Sequence, residues 1–192
     1  MSTPSKGRLH IKAEGGIPVS EARMLLATVE HAYNSLLILE STAESVSISK
    51  PTWIPDVHFS VQTSVSMVLP TNRLVLSAVE LSSPGFWEFL GALNPLETIR
   101  KYLGERHERR KDREYREPLE AQKLALENQE LANRVIERRI EILKKAAVPD
   151  HVIATYINEL VHRPLEALGA MQDRGLIIEV GEIKTASDVK AA

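Results

Sequence analysis

Residues 95–147 of the chain read PLETIRKYLGERHERRKDREYREPLEAQKLALENQELANRVIERRIEILKKAA. The eighteen residues from Arg100 to Glu117 hold eight Lys or Arg and five Asp or Glu, and no large apolar residue lies between Leu103 and Tyr115. A helix this polar cannot bury a full apolar stripe, so it must project into solvent, bind a charged partner or depend on side-chain pairs. We therefore predict a long helical arm, kinked near Pro118 because proline removes one backbone hydrogen bond.

The part of the arm after Pro118 carries apolar residues at coiled-coil spacing. A seven-residue ladder runs from Leu119 through Leu126, Asn133 and Ile140 to Ala147. This spacing favours either a coiled coil with a polar interruption or an antiparallel helical hairpin. We expect this half of the arm to form an interface seam, whose predicted members are Leu119, Leu126, Ile136, Ile140 and Leu143.

The part of the arm before Pro118 holds a basic cluster. One interpretation is a solvated helix face, because Glu105 with Arg109 and Asp112 with Arg116 have the i,i+4 spacing of helix ion pairs. The other is a surface that contacts the phosphates of nucleic acid or an anionic membrane. The predicted basic patch consists of Arg106, Arg109, Arg110, Lys111, Arg113 and Arg116.

An aromatic segment precedes the arm. Phe86, Trp87 and Phe89 follow the turn-forming residues Ser82–Gly85, and Asn94 with Pro95 resembles the start of a helix. Aromatic residues next to basic ones can lie in a membrane interface, but Glu88 within the segment favours a core or a protein interface. We treat the three aromatic residues as a candidate contact site.

The rest of the chain alternates strand and helix signals. Leu9 to Glu14 alternates apolar and polar residues, and Ser20 precedes an amphipathic helix that we expect to end near Glu40. The runs 59–69 and 73–82, separated by Pro70, Thr71 and Asn72, predict a β-hairpin. Short helices follow the arm, Gly175 is placed to end the last of them, and residues 176–182 predict a closing strand.

Together these signals predict an α+β fold. It consists of a small mixed or antiparallel sheet with one covering helix, a long charged helical arm, and short C-terminal helices that lead to a closing strand. The predicted boundaries are a disordered N-terminus at 1–7, an α+β domain at 8–93, the arm at 94–147, helices and a strand that rejoin the domain at 148–183, and a disordered tail at 184–192.

Composition excludes several classes of chemistry. The chain of 192 residues has no cysteine, so disulfides, thiolate metal sites and cysteine nucleophiles are absent, and its net charge is −2. It shows no phosphate-binding glycine loop and no nucleophile-elbow serine. Glu159 and His162 form one Glu-x-x-His, which we interpret as a surface pair near a helix end because di-iron bundles use this motif twice. We expect no metal, no cofactor and no small-molecule substrate.

The sequence therefore favours a non-enzymatic interaction protein. We expect its helical arm to self-associate or to dock a protein partner, as in an oligomeric scaffold or an accessory subunit. The alternative is an electrostatic binder of nucleic acid or anionic membrane through residues 106–116. The start, MSTPSKGRLH, lacks a secretory signal and no segment has the length of a membrane span, so we expect a cytoplasmic location.

Overall fold

A strand near the start of the chain is central to the sheet. The computed structural model describes residues 5–13, 15–48, 67–82, 84–111 and 121–185. Its first strand, β1, spans Lys6–Ala13, and Leu9, Ile11 and Ala13 are fully buried on one face. The alternation of apolar and polar residues thus correctly predicted a strand here, because successive side chains of a strand point to opposite faces.

The other strands are β2 at Val75–Glu80, β3 at Gly85–Ala92, β4 at Ile177–Val180 and β5 at Lys184–Thr185. Within the described residues their order is β2-β3-β1-β4, and β5 also pairs with β1. Every pairing is antiparallel. The chain is therefore an α+β protein with a small antiparallel sheet, as predicted, and the predicted closing strand joins β1.

The predicted hairpin lies mostly outside the described residues. Within them, β2 pairs with β3, the aromatic segment. Residues 67–69 are not a strand, Pro70–Asn72 forms a short 3₁₀ turn, and residues 59–66 lie outside the described part of the chain. The strand partner is β3 because Trp87 and Phe89 alternate with more exposed residues and face the core. Gly85 permits the tight return, since a Cβ there would collide with the carbonyl oxygen of Glu80.

The longest helix packs in the core with the other helices and meets the sheet at the end of β3. Helix α1 spans Val19–Ile48 and buries Leu25, Val29 and Tyr33. It continues past Glu40, where we expected it to end, because Ala43 and Val46 extend the same buried stripe.

The predicted arm is a set of three helices. Helix α2 spans Leu93–Lys111, α3 spans Ala121–Val135 and α4 spans Glu137–Lys145. The Arg109 Nη1 donates to the Glu127 carbonyl oxygen (3.1 Å), and Arg134 lies 3.8 Å from the Glu105 carboxylate. Arg109, near the end of α2, thus contacts the first half of α3, and Glu105, one turn earlier in α2, lies near the end of α3. The two helices therefore form an antiparallel hairpin. The helical conformation is interrupted at Ile136, between α3 and α4. The kink that we predicted at Pro118 lies outside the described residues.

The helices after the arm form one continuous rod with a widened turn. Helix α5 spans Asp150–Ile157, a π-helical turn spans Asn158–His162, and α6 spans Arg163–Asp173. The turn is wide because Pro164 lacks an N–H and because its ring would clash with the carbonyl group one α-helical turn earlier.

Two helices end in a left-handed residue. After α6, Gly175 has a φ of 82° and the Leu176 N–H donates to the Met171 carbonyl, as its position in the sequence predicted. After α4, the left-handed residue is Ala147, with a φ of 60°. A side chain disfavours this conformation, so the end of α4 is strained where the end of α6 is not.

All the helices contribute to one core. Buried residues of the predicted arm pack in the same cluster as those of β1, β3 and α1; they are Leu96, Ile99, Tyr102, Leu103, Leu131, Ala132, Ile136 and Leu143. The base of the arm is therefore part of the folded body.

Candidate interaction surfaces

Arg106 of the predicted basic patch is a buried structural residue. Its guanidinium binds Asp173 at the end of α6 through two bonds, Nη1 to Oδ1 (2.9 Å) and Nη2 to Oδ2 (2.6 Å). Nη1 also donates to Gln172 Oε1 (3.3 Å), and Gln172 Nε2 donates to the Leu103 carbonyl (3.1 Å). The Arg106 side chain is only 9% exposed. This fork joins α2 to α6, and in this conformation little of the Arg106 side chain is accessible to an external polyanion.

The residues around Arg106 leave space for its side chain and respond to its charge. Gly169 of α6 provides the space, because a Cβ there would lie 2.8 Å from Arg106 Nε. Burial raises the pKa of the neighbouring Tyr102 to about 12, and the positive charge of Arg106 offsets part of that rise. Arg106 Nε itself is buried without a hydrogen-bond partner among the described residues.

The remaining members of the basic patch are only partly described. Arg109 links α2 to α3 through its hydrogen bond to the Glu127 carbonyl oxygen. Arg113 and Arg116 lie outside the described residues, as do the side chains of Arg110 and Lys111. The two members whose side chains the structure describes, Arg106 and Arg109, both bind groups of the same chain.

The predicted seam residues divide between core and surface. Ile136 and Leu143 are buried in the core of the same chain, so a seam between two chains cannot include them in this conformation. Ile140 is partly buried against that core. Leu126 is 62% exposed, and Leu119 lies outside the described residues. Heptad spacing could not distinguish a seam between chains from packing within one chain, because both bury the same positions.

The predicted aromatic contact residues are placed by β3. Trp87 and Phe89 point into the core and are buried. Phe86, on the opposite face, stacks on His10 of β1 with 4.5 Å between ring centroids. Two of the three aromatic side chains are therefore unavailable to a membrane or a partner in the folded chain.

A charged cleft of about 400 Å³ opens between α1, α2 and α4. Glu40 Oε1 accepts from Arg139 Nη2 (2.9 Å) and from Asn94 Nδ2 (2.7 Å), so its charge is already compensated. The charged lining holds three acids and three bases, which are Glu40, Glu44, Glu97, Lys101, Arg138 and Arg139. This balance provides no excess of either charge for an ionic ligand.

The Glu-x-x-His pair is used within the chain. The Glu159 carboxylate accepts from Arg163 Nη1 (2.7 Å), and His162 Nε2 lies 2.9 Å from Asn133 Oδ1 of α3. Burial lowers the pKa of His162. In the described part of the chain, no three His, Cys, Asp or Glu residues are grouped in a way that could hold a metal ion.

The surface that sequence reasoning missed is the outer edge of β2. Among the described residues β2 pairs with β3 alone, and its other side shows no neighbouring strand. Four apolar residues on and just after this strand are between 41% and 65% exposed. We call them the edge strip; they are Val75, Leu76, Val79 and Leu81. The run VLSAVEL is apolar on both faces, but only the strand order reveals that it lies at an edge.

One buried tyrosine positions this edge. Tyr33 of α1 donates its hydroxyl to the Asn72 carbonyl (2.8 Å) and accepts from the Ala92 N–H (2.8 Å). It thus ties the turn that leads into β2 to the end of β3. Gly91 leaves room for the ring, since a Cβ there would lie 2.7 Å from Tyr33 Cε2. Tyr33 therefore fixes the start of β2 relative to the end of β3.

Known proteins add no assignment: the chain matches no family model, no curated protein and no solved structure. Within the described ranges, none of the helices combines the length and the apolar character that crossing a bilayer requires.

Proposed function

We propose that this protein is a non-enzymatic assembly protein that self-associates through the edge strip. The observation that carries the proposal is that β2, which has β3 as its one neighbouring strand among the described residues, has exposed apolar side chains. Leu76 and Val79 are each 41% exposed although they share a face with buried Phe89 and Trp87. Such contiguous apolar surface is typical of protein interfaces.

The edge offers backbone and side-chain contacts together. An edge strand carries N–H and C=O groups that a further strand can satisfy, and pockets for alternate side chains then add affinity. Soluble proteins often protect such edges with lysine or proline, but β2 has the sequence VLSAVE and contains neither. Burying its apolar surface would contribute about 25 cal/mol per Å².

The arm is the competing location for assembly. Ile136 and Leu143 support the chain's own core, which leaves Leu126 as the seam residue with a largely exposed side chain in the described part of the arm. The edge strip presents four apolar residues that are at least 41% exposed and close together in sequence, so it is the stronger candidate.

Sedimentation velocity over a wide concentration range distinguishes these locations. The variants are Val75→Lys, in the edge strip, and Leu126→Lys, on the arm; both replace a residue at least half exposed by the same charged one. We expect wild type to associate reversibly, Val75→Lys to weaken association by about tenfold or more, and Leu126→Lys to behave as wild type. A wild type that is monomeric throughout, or an effect of Leu126→Lys alone, would contradict the proposal.

A further inference from the structure

We infer that the strand that pairs with the β2 edge is β2 of a second copy, antiparallel and in the register that sets Arg73 opposite Glu80 of the other copy. This inference rests on the proposed function and specifies its partner and geometry.

The charges at the two ends of the strand complement each other. Residues 73–80 read RLVLSAVE, with a cation at one end, an anion at the other and no charge between. Arg73 and Glu80 are exposed, and neither side chain forms an ion pair with another residue that the structure describes. The Glu80 carboxylate accepts a hydrogen bond from the Ser82 hydroxyl (2.8 Å). An antiparallel pair of identical strands brings each end against the opposite end of its copy. Two Arg73–Glu80 pairs result, whereas a parallel pair would oppose like charges.

A β-bulge makes this register consistent with the faces of the sheet. In a regular strand, residues seven apart lie on opposite faces and could not be cross-strand partners. In β2 the pairing with β3 passes from Leu76–Phe89 to Ala78–Glu88, so Ser77 is an extra residue. Residues at positions 75, 78 and 80 then share the outer face, and by alternation position 73 joins them.

The same register places the apolar residues against one another. Arg73 faces Glu80, Val75 faces Ala78, and Leu76 faces Leu76 of the second copy at the two-fold axis. Because Leu76 lies on the face that carries Phe89, the exposed part of this side chain is covered by its own equivalent. The antiparallel sheets of the two copies become one continuous sheet.

Charge reversal tests the register. Arg73→Glu and Glu80→Arg each place like charges at both ends of the ladder, so each variant alone should associate about tenfold or more weakly than wild type. A mixture of the two variants restores both opposite-charge pairs in the mixed dimer, and the double variant restores them in its own dimer. Lys144→Glu and Glu141→Arg, on the exposed surface of α4, are the matched controls and should associate as wild type does.

A cysteine cross-link provides a second measurement in the full chain, which has no cysteine of its own. Leu76→Cys places the two thiols directly opposite, within the Cα separation that a disulfide spans, so oxidation should give a covalent dimer. Val79→Cys, on the same face and equally exposed, is the control, because the two Cα atoms would lie roughly 13 Å apart.

The outcomes separate the register from the proposed function. Restoration by mixing, together with selective cross-linking at residue 76, supports the inference. The register is overturned if the mixture associates as weakly as its component variants, or if residues 76 and 79 cross-link equally. Assembly through the edge strip survives that result if wild type still associates and Val75→Lys does not. A wild type that never associates overturns both.

Discussion

Replacing either member of the Arg106–Asp173 pair should destabilise the fold, but to different extents. The Arg106 side chain is 9% exposed, whereas that of Asp173 is 53% exposed. Removing the carboxylate with Asp173→Ala leaves a buried cation without its anion. Removing the guanidinium with Arg106→Met retains apolar packing and leaves an anion that water can solvate.

The burial and hydrogen bonds of the two side chains determine how much stability each substitution should cost. Breaking a fully buried ion pair typically costs about 3–5 kcal/mol. Because Gln172 Oε1 still accepts from Arg106, we expect Asp173→Ala to lower the free energy of unfolding by about 2–3 kcal/mol. Arg106→Met should cost about 1 kcal/mol, the value of one net hydrogen-bonding interaction. The double variant should be more stable than Asp173→Ala alone, since no buried charge then remains unpaired.

Urea denaturation at neutral pH measures these differences. Gly169→Ala adds a check: it should destabilise the wild type by displacing Arg106, and be tolerated beside Arg106→Met, where alanine has the better helix propensity. If Arg106→Met leaves stability unchanged, the structural role given to this arginine is refuted. If it costs more than Asp173→Ala, the argument from the unpaired buried cation is refuted.

Three further predictions concern residues that affect the stability of the fold, and urea denaturation measures each of them. Ala147→Gly should stabilise the protein by about 0.5–1 kcal/mol because it relieves the left-handed end of α4, whereas Gly175→Ala should destabilise it by about 1 kcal/mol; equal signs would contradict the argument. Tyr33→Phe should cost about 1–3 kcal/mol because the buried N–H of Ala92 loses its acceptor, and an unchanged midpoint would count against that role. Burial lowers the pKa of His162 below its ordinary 6.5, so below pH 6.5 the unfolded chain binds a proton that the folded chain does not. Stability should therefore fall as pH drops below 6.5 and level off below the folded pKa, and His162→Gln should reduce that dependence.

Local patterns predicted those parts of the fold whose cause is local. The alternation around Leu9 and Ile11 located β1, and the glycine at 175 located the end of α6, because side-chain period and backbone strain act over a few residues. The long apolar stripe likewise located α1.

The partners of charged and apolar residues could not be predicted in this way. Arg106 belongs to a run of charges that resembles a solvated face, and its carboxylate partner is 67 residues away in the chain. Ile136 occupies a seam position of a heptad pattern that serves the chain's own core. Both outcomes depend on how distant elements pack, which composition and periodicity do not encode.

The candidate surface escaped prediction for a related reason. Val75 and Val79 resemble ordinary strand residues, and only the strand order shows that β2 has an unpaired side in the described structure. Exposure of apolar residues is a property of topology, so no local motif could have revealed the edge strip.

Sedimentation equilibrium of the unmodified chain tests the central claim most directly. If the edge strip mediates assembly, the weight-average mass rises with concentration from 21.4 kDa towards twice that value, and the rise is reduced by Val75→Lys. A mass that stays at 21.4 kDa at every concentration would contradict the account.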